Sequence, residues 1–77
     1  MQTSLLTRNL DCCGQYMPQP ICELKKELEG GACRVWITCD SRMIFENLRR
    51  FALYAGLKLE SVSSGGGRYY MEVAQPL

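Results

Sequence analysis

Leu10-Asp11-Cys12-Cys13-Gly14-Gln15-Tyr16-Met17-Pro18-Gln19-Pro20 runs directly into Ile21-Cys22-Glu23-Leu24-Lys25-Lys26. The stretch reads as the end of a strand, a glycine turn and a helix opened by proline. Gly14 ends the strand. Pro18 and Pro20 suit the first turn of a helix, where the missing amide hydrogens would be unpaired in any case. Ile21, Leu24 and Leu28 then recur at helical spacing, and Gly30-Gly31 stops the helix. Met17 falls at the mouth of this helix, where a cysteine would be a reactive thiol.

Upstream, Leu6, Arg8 and Leu10 alternate with Thr7 and Asn9 over residues 5–10, which predicts the first strand. Downstream, Cys33, Val35, Ile37 and Cys39 alternate with Arg34, Trp36, Thr38 and Asp40, a second strand with one buried face. Asp40 or Ser41 caps the next helix. Its apolar stripe is Ile44, Leu48, Phe51, Ala52 and Ala55, and Gly56 takes the C-terminal cap. Leu57, Leu59 and Val62 predict a third strand. Ser63-Ser64-Gly65-Gly66-Gly67 reads as a mobile hairpin turn, after which Tyr69, Met71 and Val73 face one way along a fourth. The order β-α-β-α-β-β predicts an α+β fold, a two-layer sandwich with two helices on one face of a four-stranded mixed sheet. The short turn requires the last two strands to pair antiparallel.

The bulk numbers narrow the class. A chain of 77 residues is one small domain, residues 1–77, near the lower limit for a single hydrophobic core. An apolar fraction of 47% is enough to fold. A net charge of +1 gives no electrostatic case for nucleic acid or membrane. No segment reaches the roughly 20 apolar residues of a membrane span. The start, Met1-Gln2-Thr3-Ser4-Leu5-Leu6-Thr7, has neither a basic region nor a long apolar one, so no secretory signal is expected and the chain reads as soluble and cytoplasmic. Five cysteines without a secretory signal predict reduced thiols. With no CxxC and no histidine, no metal site and no cofactor is expected.

The element order and the opening motif together resemble the TusA/SirA-like sulfur-transfer family, whose pattern is Leu-Asp-x-x-Gly-x-x-Cys-Pro-x-Pro followed by a helix with a Lys-Lys pair. Leu10, Asp11, Gly14, Pro18, Pro20, Lys25, Lys26, Asp40, Phe51, Gly56 and Leu59 sit where that pattern puts them, so the likeness runs from about Leu10 to Val73. The resemblance implies a persulfide sulfur carrier. Its partners would be proteins: a sulfur donor such as a cysteine desulfurase, and a sulfur acceptor or tRNA-modifying enzyme. Three positions depart from the pattern. Ser41 replaces the proline after Asp40, Glu46 replaces an aspartate, and Met17 replaces the persulfide cysteine.

The last departure bears on the chemistry. A cysteine at a helix N-terminus ionises readily because unpaired amide hydrogens stabilise the thiolate. A thioether cannot ionise and forms no persulfide. Cys13, four residues earlier in the same turn, is the candidate relocated nucleophile, and packing against the sheet is its plainer reading. Its neighbour Cys12 could pair with it only through a strained adjacent disulfide. Cys22 lies within reach of Lys25 and Lys26 but reads as a half-buried helix residue. Cys33 and Cys39 share the buried face of Val35 and Ile37 and read as structural. Met17 reads as an apolar plug or as a contact on the docking face, with soft-metal coordination beside Cys13 a weaker option.

Lys25-Lys26, Arg42 and Arg49-Arg50 could form a cationic surface, but Glu23, Glu27, Glu29 and Glu46 balance them, as on the solvated faces of amphipathic helices. Tyr69 and Tyr70 beside Arg68 alternate across a strand, so at most one serves an exposed platform. The leading expectation is therefore a TusA-like sulfur-relay protein in which Met17 replaces the motif cysteine. The alternative is a non-catalytic adaptor keeping a docking surface around Tyr16, Met17 and Pro18. An RNA-binding module is a distant third.

Overall fold

The alternation ahead of Gly14 becomes strand β1, Thr7–Asp11, in a computed structural model that describes residues 6–76. The expected strand residue Leu5 lies outside the described residues, as does most of the segment on which the expected lack of a secretory signal rests. Helix α1 spans Gln19–Glu29, β2 Arg34–Cys39, α2 Arg42–Tyr54, β3 Lys58–Gly65 and β4 Arg68–Ala74. The β-α-β-α-β-β order agrees with the sequence periodicities. None of the helices among the described residues is long and apolar enough to cross a membrane.

The sheet order is β1-β2-β4-β3. β1 and β2 are parallel, while β4 inserts between β2 and β3 and runs antiparallel to both. Both helices lie on one face. Leu24 of α1 and Ile44, Phe45, Leu48 and Ala52 of α2 share one core with Leu10, Val35, Ile37, Cys39, Met71 and Val73 of the sheet. Each fully buried aliphatic side chain in such a core contributes about 1.5–3 kcal/mol.

Local chemistry fixes the helix ends. Ser41, not Asp40, caps α2: its hydroxyl accepts the Ile44 amide at 3.3 Å, leaving the Asp40 carboxylate for another partner. Both helices close with the paired backbone bonds of a Schellman turn. After α1, the Gly31 and Ala32 amides donate to the Leu28 and Glu27 carbonyls, and after α2 those of Gly56 and Leu57 donate to Leu53 and Ala52. Gly31 and Gly56 take the left-handed conformation this requires, at φ +100° and +80°.

Four details differ from the sequence reading. Phe45, absent from the expected stripe, is buried and stacks on Tyr69 with ring centroids 5.2 Å apart, whereas Ala55 is the exposed C-cap. Cys33, expected to be buried with Val35 and Ile37, lies just before β2 and is only half-buried, outside the core cluster. Ser63, Ser64 and Gly65 belong to β3, so the hairpin turn shrinks to Gly66-Gly67, both at positive φ as a two-residue turn demands. The fourth is a bulge between Leu59 and Ser61: Leu59 pairs with Val73 and Val62 with Met71. Three residues apart, Leu59 and Val62 would face opposite ways in a regular strand, and the extra residue Glu60 turns both toward the helices.

The other sheet face carries Trp36 and Tyr70, both partly exposed. Between them Glu72 is nearly buried, held by Arg34 and by the Ser61 hydroxyl at 3.4 Å. Tyr69 and Tyr70 therefore do point to opposite faces, as strand alternation requires.

Candidate functional site

Parallel neighbours β1 and β2 end on the same edge of the sheet, so the turns leading into α1 and α2 lie side by side. A groove of about 300 Å³ opens between them. Gly14, Gln15, Tyr16 and Met17 of the first turn form one wall, and Asp40, Ser41, Met43 and Ile44 of the second form the other. Its lining is mainly apolar. Met17 packs against the core from its partly buried position, while Tyr16 and Met43 are 83% and 64% exposed. Met17 thus stands at the mouth of α1, and its peptide bond to Pro18 is cis.

Hydrogen bonds fix the first turn. The Asp11 carboxylate accepts the Cys13 amide at 3.0 Å, and the Thr38 carbonyl accepts that of Cys12 at 2.7 Å. Gly14, at φ +76°, donates its amide across to the Asp40 carboxylate at 3.3 Å. The Gln15 side-chain amide donates to Glu23 at 3.1 Å, and Gln19 donates to the same carboxylate at 3.2 Å. This leaves the Gln15 side-chain oxygen buried without a donor among the described residues.

None of the shifted thiols is activated. Cys12 is fully buried, and burial pushes its pKa up to about 12. Cys39 is also raised by burial, against the opposing effect of its bond to the Ser41 backbone. The candidate nucleophile Cys13 is half-buried in the turn after β1, and its pKa is raised, first by the hydrogen bond to Asp11 and then by desolvation. Arg68 pulls it the other way as a minor influence. Asp11 shows the converse effect: the Cys13 amide, then the Cys13 thiol, hold its carboxyl below the ordinary range. Cys22, expected to be half-buried, is exposed, since it sits on the solvent side of α1 next to the buried turn of Pro20 and Leu24.

The remaining motif residues divide between scaffold and surface. Pro20 is buried in the first turn of α1 and Pro18 precedes the helix on the surface. Lys25 and Lys26 are exposed and line no part of the groove, Lys25 lying over the Phe51 ring at 5.7 Å. Of the balancing carboxylates, Glu27 pairs with Arg8 and Glu46 with Arg49. Among the described residues, no three Cys, Asp or Glu side chains converge as a metal site. Sequence reasoning missed Gln15, Ser41, Met43 and Ile44 as groove residues. The available signal was topological, because adjacent parallel strands place both following turns on one edge.

No family model matches the chain, and no curated protein does. Among solved structures, a SirA-like protein of Desulfitobacterium hafniense superposes with a TM-score of 0.75 at 24% identity, covering 87% of this chain and 95% of that one. At that identity the likeness speaks for architecture, and it agrees with the strand order and helix placement derived above. The chain has a SirA-like fold.

Proposed function

We propose that this chain is a docking component of a sulfur-relay system, built on a TusA-like scaffold and without persulfide chemistry at the motif position. The observation that carries the reading is Met17 itself: a thioether at the mouth of α1, in an apolar groove with Tyr16 and Met43. Adaptable methionines suit a protein-binding surface. An exposed aromatic beside an apolar pocket suits an anchor. The partner is a protein of sulfur transfer, either a cysteine desulfurase as donor or the acceptor that it serves, and the cytoplasm is the compartment where reduced thiols of this kind persist.

The test is direct binding to a purified cysteine desulfurase by calorimetry. Met17→Asp and Tyr16→Ala should each weaken association at least about 10-fold, the usual loss on removing an interface anchor. Unchanged affinity in both variants, with the fold intact by circular dichroism, would remove the docking reading.

A second reading, sulfur carriage by Cys13, draws on the position of that thiol in the same turn, partly accessible and near Arg68. The raised pKa of Cys13 weighs against it, because the thiolate is the species that attacks a persulfide.

A further inference from the structure

A second cleft lies on the opposite side of the first turn of α2, away from the Met17 groove. It measures about 450 Å³, with Arg42, Phe45 and Glu46 of α2 as one wall, Val62 to Ser64 of β3 as the other, and Tyr69 of β4 as the floor. Its origin is in the sheet. The bulge at Glu60 turns Val62 toward the helix layer, yet two helices do not reach over the far end of a four-stranded sheet. Val62 is left 49% exposed on the side that elsewhere forms the core. Beside it the Tyr69 ring is half-buried and rests on the buried Phe45 ring.

The charges at its rim are uneven. Arg8, Arg34 and Arg49 each pair with a glutamate; Arg42, Arg50 and Arg68 have no carboxylate partner among the described residues, and of these three Arg42 lines the cleft. Glu46, in the same wall, is engaged by Arg49 at 3.2 Å. The uncommitted charge facing the cleft is therefore one guanidinium. Ser64 and Tyr69 are directly paired across β3 and β4, which puts both side chains on the helix side of the sheet, next to it.

We infer that this cleft binds a carboxylate attached to a flat apolar group, with Arg42 pairing the carboxylate and Tyr69 and Val62 receiving the apolar body. A phosphate dianion fits less well, because a single arginine beside the Glu46 carboxylate balances one negative charge and not two. Guanidinium and carboxylate also match in geometry, each presenting two parallel hydrogen-bonding positions. The volume is in the range of clefts that hold small organic ligands. Free aromatic acids and the C-terminal aromatic residue of a peptide share this chemistry.

Amide chemical-shift titrations on the full chain separate these cases. Phenylacetate should give saturable shifts at Arg42, Phe45, Ser64 and Tyr69. Phenylacetamide should bind at least about 10-fold more weakly, as should phenylacetate to Arg42→Gln, since each lacks the charge-assisted pair. Arg42 is exposed, so this variant is expected to fold. A short peptide ending in a free Phe carboxylate identifies a chain terminus as the source if it binds tighter than phenylacetate, and a small acid if it binds weaker. Equal binding of acid and amide, tighter binding of inorganic phosphate, unchanged binding in Arg42→Gln, or no saturable shift would each overturn the inference.

Discussion

The amide of Gly14 donates to the carboxylate of Asp40 at 3.3 Å, tying the turn after β1 to the turn after β2. The two residues are far apart in sequence, and this bond joins the two walls of the groove that holds Met17. Ser41 takes over the capping of α2, which frees Asp40 for the crossing contact. Asp40→Ala should therefore lower Tm by only a few degrees, since the bond is exposed, while weakening partner binding at the groove more than the stability loss explains. Thermal melts alongside calorimetry test this, and equal effects on both would argue against a positioning role.

The thiols should react in the order of their exposure. Cys22 is labelled first by iodoacetamide, Cys13 and Cys33 more slowly, and Cys12 and Cys39 only on unfolding. Because the hydrogen bond to Asp11 raises the Cys13 pKa, Asp11→Asn should speed its alkylation at neutral pH. Peptide mapping by mass spectrometry reads each site separately. A Cys13 that outpaces Cys22 in the parent protein would contradict the picture of an unactivated thiol.

Stability should fall under alkaline conditions. The Cys12 thiol has an ordinary pKa of 9.0, raised to about 12 in the folded chain. Above the first value the unfolded state loses its proton while the folded state keeps it, so folding weakens as pH rises from about 9 to about 12. Below that window the neutral thiol costs nothing and the contribution is fully present. Urea melts across this range should show the decline, and Cys12→Ala should flatten it; an unchanged slope would show that other groups control it.

Two leucines separate core from surface. Leu48 is fully buried, and Leu48→Ala should cost about 2–5 kcal/mol from lost transfer energy and the cavity left behind. Leu53, on the same helix but 56% exposed, should change stability by less than about 0.5 kcal/mol on the same substitution. Denaturant midpoints measure both, and similar losses would mean that α2 packs on a different face.

The sequence revealed those features that local chemistry encodes. Pro20 and Gly14 bound the first turn, Gly31 and Gly56 end the helices, and the alternation of Val35, Ile37 and Cys39 fixes the buried face of β2. What stayed hidden depends on contacts between distant segments. Glu60 bears no mark of a bulge, because pairing with β4 decides which residue is extra. Phe45 looks like a solvent-side neighbour of Ile44 until Tyr69 meets it from the sheet. Met43 gains its place in the groove from the parallel pairing of β1 and β2, which the helix periodicity of α2 does not express. Cys22 follows Ile21 so closely that a small rotation of α1 decides between core and solvent.

A helix mouth that keeps its docking surface but lacks a sulfur-carrying thiol should accept no sulfur from a donor. This is tested most directly by intact-mass spectrometry after incubating the reduced protein with a cysteine desulfurase and cysteine. The parent chain should gain no sulfur, and Met17→Cys, which regains an ionisable thiol at the start of α1, should gain one. One added sulfur on the parent, lost in Cys13→Ser, would contradict this and assign the relay to Cys13.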